Sequence, residues 1–487
     1  MTADSGAPRS LHLGYMYWSN GTHPAGWRLP EAVHDRGFDA RYITELAQIA
    51  ERGKFDFFFF GDRLATGPEY QLSNTSVLSR IEPFTAAGYI ATLTRRIGIV
   101  VTANPTYYEP FNLARLTASL DHICAGRASW NIVTGADGRA AGNYSRSEHG
   151  DATARYDRAD EFVSVVRRLW DSWEDDAFIR DAATGEFVDG DKIHPVNHVG
   201  AAFRIRGPLN VARPPQGHPV VLHAGTSDRS RDLGAREADV LFAAATTIEH
   251  GRDYSADIRR RAAEFGRDPS RIAILPGLTP IVAATRQQAR VLYDRLNALI
   301  ILDDDIRFGG RDPGHWTPGP ATAGRQAQGE GYRNLGALSQ RVRVDLTGAE
   351  LADPIGPDTA AALNPVGRAL LDTVAARTGR SVGGQDPLTI RDLLYAHIVG
   401  GHVVVGDPND IADYIQAWFE AGASDGFNIQ SAFLTEQLET FVELVVPELQ
   451  RRGLFRREYT GRTLREHLGL ERPVNHWAQA DTSAEGR

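Results

Sequence analysis

A chain of 487 residues with 42% hydrophobic and 24% charged residues has the composition of a globular protein with a sizeable core, not of a disordered or membrane-embedded one. The net charge of −9, from 62 acidic against 53 basic residues spread along the whole length, excludes the clustered Lys and Arg of a nucleic-acid-binding surface. The single cysteine, Cys124, excludes an internal disulfide and a thiolate metal site, and the short polar start lacks a secretory core, so a cytoplasmic protein is expected.

In chain order, strand-length apolar runs alternate with amphipathic helical stretches, the rhythm of βα units around a parallel sheet. The first run, 11–18, is followed by a helix over 40–52 that carries Tyr42, Ile43, Leu46, Ile49 and Ala50 at helical spacing. Further strands are expected at 55–60, 97–102, 128–133, 220–224, 240–244, 272–282 and 426–430, which makes eight in all. Helices are expected at 113–123, 159–173, 229–237, 254–265, 286–302, 411–421 and 436–452. Two Gly- and Pro-rich stretches, 175–218 and 303–404, interrupt the alternation. They read as insertions into a single barrel domain over 1–470, with 471–487 as a flexible C-terminal tail. The expected fold is α/β, a (β/α)8 TIM barrel with large insertions.

In a parallel barrel the active site is built at the carboxyl ends of the strands, so polar residues closing apolar runs are the first candidates. The second strand closes at Asp62, the third at Thr102 and Asn104, the fourth at Asn131 and Thr134, and the fifth at Thr226 and Ser227. Asp62 reads equally well as a loop carboxylate or as a polar ligand contact. The run His223 to Asp232 is the most specific: a strand ends in glycine and two hydroxyl residues just before a helix, where backbone N–H groups and the helix dipole favour a phosphate. A plain N-cap by Ser227 is the bland alternative. Ahead of the long helix after strand four, Asn143, His149, Arg155 and Tyr156 are each able to contact a planar, hydrogen-bonding ligand. Taken singly, His149 is more often a surface histidine than a catalytic one.

Other patterns carry less. Gly422-Ala423-Ser424-Asp425-Gly426 matches GxSxG but follows a helix and precedes a strand, the reverse of a nucleophile elbow. His194 and His198 are separated by Pro195, which speaks against a helical metal pair, and no metal is expected.

Six collinear blocks carry a resemblance: WR at 27–28, FDFFFFGD at 55–62, the run 108–134, NY followed by EH and then RYDRADEFVSVVRRLWDSWE at 155–174, the run 207–242, and GDPNDIADYIQAWFEAGASDGFNI at 406–429. In these the chain resembles the luciferase-like flavin monooxygenases, in the branch that contains nitrilotriacetate, dibenzothiophene-sulfone and long-chain alkane monooxygenases. The resemblance implies a two-component enzyme in which a separate NAD(P)H:flavin reductase supplies reduced FMN. With O2 this oxygenates a small organic substrate through a peroxyflavin. It further implies that Asp62, Thr102, Asn143, His149, Tyr156, Thr226 and Ser227 contact FMN, with the phosphate on Thr226 and Ser227 and the ring near Asp62 and Thr102. His23 and His149 are the candidates for proton handling, and a homodimer or homotetramer is the expected assembly. The chain departs from the family pattern at His223, where glutamine is usual, at Ser230, where glycine is usual, and at Ala152, where a histidine is common. The alternatives are a deazaflavin-dependent oxidoreductase of the same superfamily, separable by cofactor preference, and a non-catalytic flavin-binding protein, excluded by substrate-dependent oxygen consumption.

Overall fold

Fourteen strands follow one another in the computed structural model, which describes residues 9–66, 76, 79–135, 137–302 and 334–478. They are β1 (His12–Tyr17), β2 (Phe57–Phe60), β3 (Gly98–Ala103), β4 (Ala128–Ile132), β5 (Phe178–Asp181), β6 (Glu186–Val188), β7 (His198–Val199) and β8 (Arg204–Ile205). The chain continues with β9 (Val220–Ala224), β10 (Val240–Phe242), β11 (Ala273–Ile274), β12 (Gly277–Val282), β13 (Val403–Gly406) and β14 (Gly426–Ile429). Ten of them form one parallel sheet in the order β11-β10-β9-β4-β3-β2-β1-β14-β12-β13. The sheet closes on itself because β11 and β12 are one staggered strand: Val240 and Leu241 of β10 pair with Ala273 and Ile274, while Gly277 and Leu278 pair with Asn428 and Ile429 of β14. The backbone bonds from Asp425 N to the Ile274 carbonyl and from Asn428 N to the Pro276 carbonyl, both 2.8 Å, complete the seam. The result is an eight-stranded (β/α)8 barrel whose strands coincide with the eight apolar runs expected from the sequence.

Side-chain alternation along each strand separates the two sides of the barrel wall. Phe57 and Phe59 of β2 point inward and pack with Val100, Leu222, Val240 and Leu275, while Phe58 and Phe60 pack outward against the helices. Gly14 is dictated by that filling, since a Cβ there would lie 2.2 Å from the Phe57 ring. Leu464 and Leu468 join the interior cluster, and Leu464 N bonds the Gly126 carbonyl, so the short C-terminal helix Leu464–His467 stops the amino end of the barrel.

The amino ends of the strands carry a repeated device. Buried Asp56, Asp121, Asp239 and Asp425 accept the backbone N–H of Leu13, Ala128, Val221 and Ile274 at 2.8, 3.1, 3.0 and 2.9 Å. Three of the carboxylates are also paired with arginines: Asp56 with Arg456, Asp239 with Arg465, and Asp425 with Arg9 and Arg259. Asp425 belongs to the GxSxG-like run, which is therefore a structural turn at the face remote from the site.

Within 175–218 the chain forms the hairpins β5-β6 and β7-β8. His194 bonds Glu174 at 2.7 Å and His198 bonds Glu161 at 2.8 Å, so each histidine of that spaced pair has its own carboxylate. Of the stretch 303–404, residues 303–333 lie outside the described residues. The remainder forms helices Leu335–Val342, Pro357–Ala362, Pro365–Thr378 and Ile390–Val399 around a separate apolar cluster that includes Leu338, Val374 and Leu393. Val403–Gly406 ends this stretch by pairing in parallel with β12. Of the expected tail, residues 471–478 dock through the Arg472–Asp175 ion pair, buried Asn475 and the Trp477 ring stacked on His194, and 479–487 lie outside the described residues.

Two local differences from the sequence expectation have simple causes. A helix at Pro83–Ala91, begun by Pro at its first turn and capped by the Glu82 side chain, was too short and too apolar to show a period. The last helix widens into π turns at Phe441–Val445, two residues ahead of Pro447, whose ring has no N–H and crowds the preceding turn.

Candidate active site

The carboxyl ends of β2, β3 and β4 are tied together by one buried side chain. Thr102 Oγ1 donates to the Phe60 carbonyl at 2.8 Å and accepts from Asn131 Nδ2 at 3.0 Å. That leaves Asn131 Oδ1 buried with no hydrogen-bond partner among the described residues, a feature that points to a missing donor. Beside them Asn104 Oδ1 accepts from Thr106 N, and Thr106 Oγ1 donates to the Thr134 carbonyl, both at 2.8 Å. Asp62 stands just past β2, half-buried, and accepts from Arg63 N at 2.7 Å. Burial pushes its carboxyl above the usual range, against the pull of the Arg63 N–H and of Arg80.

The loops after β3 and β4 bring three rings together. Tyr107 stacks on Tyr144 with centroids 4.7 Å apart, and its hydroxyl shares a 2.5 Å hydrogen bond with His149 Nδ1. His149 Nε2 is buried without a partner among the described residues. Burial, reinforced by Arg155, lowers the affinity of His149 for a proton, so the ring is neutral at pH 7. Asn143 is exposed and its Nδ2 donates to the Leu64 carbonyl at 2.9 Å, joining this loop to the one after β2. Tyr156 lies on the helix Ala152–Trp170, 9% exposed, and packs in the cluster outside the barrel wall with Trp130 and Phe162. Ala152 opens that helix behind the Asp151 cap.

Across the mouth, β9 ends at Ala224 and the helix Asp228–Glu237 begins after three intervening residues. Gly225 makes the turn at φ +154°, where a Cβ would stand 1.9 Å from Ser230 Oγ. Thr226 and Ser227 are exposed, and Ser227 is the N-cap, its Oγ accepting from Ser230 N at 3.3 Å. Both sequence departures here form one unit. His223 Nδ1–H donates to the Ile132 carbonyl at 2.9 Å, so Nε2 must accept the Ser230 hydroxyl at 2.8 Å. Burial presses His223 down to about 4. The ring is neutral when folded and protonates once unfolded, so its stabilising effect is full above pH 6.5 and declines as the pH falls toward 4. A glutamine can donate and accept at the same two partners. His223→Gln is therefore expected to melt within about 2 °C of wild type at pH 7.5 and above wild type at pH 5, as thermal melts across that range will show.

His23 lies apart from His149. Its backbone N–H bonds the Ala432 carbonyl beyond β14, its Nδ1 accepts from Ala25 N at 3.2 Å, and Nε2 bonds Asn297 Oδ1 at 3.2 Å. Buried at 3% exposure with both ring nitrogens engaged, it is joined to the β12 and β14 side of the mouth rather than to the aromatic cluster. Sequence reasoning passed over Tyr107, Trp18 and Arg80. Trp18 directly follows β1 and Tyr107 comes four residues after the end of β3, which was the available signal. Arg80 sits before an unrecognised helix and offered none.

Comparison with known proteins matches this architecture. The model of the luciferase-like monooxygenase family fits residues 20–425. The chain is 42% identical to N-acetyl-S-(2-succino)cysteine monooxygenase of Bacillus subtilis over 97% of its own length and 99% of the relative's. It is 39% identical to nitrilotriacetate monooxygenase component A of Aminobacter aminovorans, with the same two coverages. Among solved structures, EDTA monooxygenase from Chelativorans sp. BNC1 superposes with a TM-score of 0.72 at 30% identity, covering 95% of this chain and 99% of that one. A family model spanning most of the barrel, with relatives alike end to end, settles the assignment: the chain belongs to the luciferase-like monooxygenase family.

Proposed function

We propose that this chain is the oxygenating component of a two-component flavin-dependent monooxygenase, fed reduced FMN by a separate NAD(P)H:flavin reductase. The observation that carries the reading is the turn at Gly225, where any Cβ would collide with Ser230 Oγ so that only glycine fits, placed at the amino end of the helix Asp228–Glu237 where the dipole favours an anion. The site has further features that suit a flavin: the buried, unpartnered Asn131 Oδ1 and His149 Nε2.

Backbone N–H groups at the helix start, with the hydroxyls of Thr226 and Ser227, hold the phosphate. Ser227 can do so while capping, because it accepts from Ser230 N and keeps its O–H to donate. Asp62, Thr102, Asn143, His149 and Tyr156 frame the ring; Thr102 acts by fixing Asn131, and Tyr156 by supporting the wall behind it. Bound reduced FMN supplies two electrons with which O2 is split between the oxygenated product and water. The chain's task is to exclude water and orient the substrate. Neutral His149, held by Tyr107, is able to accept a proton at Nε2, and His23 at Nδ1 if its bond to Ala25 opens. Tyr107→Phe is expected to lower turnover about 10-fold by freeing the His149 ring, with little change in FMN affinity, as steady-state oxygen uptake and flavin titration will separate.

The protein works in the cytoplasm as a homodimer or homotetramer. Among the described residues no helix is long and apolar enough to cross a membrane. The test is oxygen uptake with reduced FMN across a panel of small organic acids, sulfur compounds and alkanes. Substrate-dependent uptake with product one oxygen atom heavier supports the proposal; flavin oxidation indifferent to every compound, with binding only of a reduced deazaflavin, would move the chain to the hydride-transfer class.

A further inference from the structure

We infer that Arg80 is the anchor for a carboxylate of the substrate, and that the cleft between the carboxyl ends of β1 and β2 is its binding subsite. This rests on the monooxygenase reading and adds a substrate class to it. The cleft is narrow and lined by Tyr17, Trp18, Ser19, Phe60, Gly61 and Arg80. Its aromatic wall and its cation are already assembled: the Arg80 guanidinium lies over the Trp18 ring, 4.2 Å from the centroid.

Tyr17 and Ser19 donate to the Gly37 and Ser79 carbonyls, but two N–H groups of this cleft lack partners. Arg80 Nε and Trp18 Nε1 are both buried donors without an acceptor among the described residues. Arg80 makes no ion pair there either, whereas buried Arg213 meets Asp171, and buried Arg127 reaches four carbonyl oxygens and Thr94 Oγ1. Asp62 is close enough to be felt electrostatically but is not bonded to it. A buried guanidinium with its fork unfilled, next to a second unfilled N–H, is complementary to a planar two-oxygen anion. Burial and the like charge of Arg63 ease Arg80 down to about 10, so it stays charged at neutral pH.

The anion in this cleft is distinct from the cofactor phosphate. In the ring order of the barrel, β9 stands diametrically opposite β1, so the Gly225 cradle and the Arg80 cleft face each other across the mouth. A molecule held by a carboxylate at Arg80 extends toward the centre of the barrel mouth, between the two anion sites.

The experiment is anaerobic calorimetry of the protein loaded with reduced FMN, titrated with nitrilotriacetate, citrate and succinate, and with the trimethyl ester of nitrilotriacetate as the uncharged control. At least one acid is expected to bind wild type, the ester not to bind, Arg80→Gln to weaken the acid at least about 10-fold, and Arg80→Lys, which keeps the charge and loses the planar fork, to fall between. Circular dichroism and melting of both variants confirm folding, and Lys carries the test if Gln does not fold. The inference is overturned if no acid binds wild type, if both variants bind the acid as wild type does, or if Arg80→Gln weakens FMN while sparing the acid, which would give Arg80 to the cofactor. Failure of wild type to bind reduced FMN sinks the monooxygenase reading alone, and the same titrations on flavin-free protein then decide the carboxylate site.

Discussion

Gly225→Ala is expected to weaken the binding of reduced FMN by at least about 30-fold, roughly 2 kcal/mol. The added Cβ has to occupy a point 1.9 Å from Ser230 Oγ and 2.8 Å from Ser230 Cβ, at a backbone φ of +154° that side chains rarely adopt. Ser230 cannot retreat cheaply, because its hydroxyl is the donor that satisfies the buried His223 Nε2. The first turn of Asp228–Glu237 must therefore move, and with it the N–H groups that hold the phosphate. A titration of the variant with reduced FMN, beside its melting temperature, distinguishes loss of the cradle from loss of the fold; unchanged affinity in a folded variant would place the phosphate elsewhere.

Asp56→Ala is expected to cost about 3–5 kcal/mol of stability, because it strands a buried cation and a buried backbone donor together. The carboxylate is fully buried, accepts from Leu13 N at 2.8 Å, bonds His12 at 3.2 Å and pairs with Arg456. Burial alone would raise its pKa, yet Arg456 and His12 outweigh it and hold the group at about 2. Its folded pKa lies below the unfolded 3.8, so its contribution is complete above pH 4 and is lost only as the pH falls through about 2. The loss in Asp56→Ala should thus be nearly constant from pH 5 to pH 8, which urea titrations at three pH values will check. A midpoint unchanged from wild type would contradict the amino-end carboxylates as the lock of the barrel.

Much of this barrel was legible in the residues because its wall is buried on both sides. Runs such as Phe57–Phe60 and Val220–Leu222 have no polar face and stand out as continuous apolar segments, and 272–282 read as a single strand correctly despite the break at Leu275 and Pro276. The turn at Gly225 was legible for a different reason: strand, glycine, two hydroxyl residues and helix follow each other with no gap. The His223–Ser230 bond was not. Both residues were noticed singly, but a hydrogen bond between positions seven apart needs the strand and the helix to be placed first. The same holds for Tyr107 with His149 and for Arg80 over Trp18, which join loops from neighbouring strands 42 and 62 residues apart in the chain. Thr102 shows a subtler difference, since its hydroxyl is engaged in positioning Asn131, which supplies the unpartnered oxygen.

The measurement that reaches the central claim most directly is equilibrium titration of the protein with reduced FMN under anaerobic conditions, in parallel for wild type, Gly225→Ala and the double variant Thr226→Ala with Ser227→Ala. Saturable binding of one flavin per chain, weakened in both variants while riboflavin binds all three alike, is the result this account predicts. No saturable binding to wild type, or equal affinity for riboflavin and FMN, would contradict a phosphate held at the end of β9.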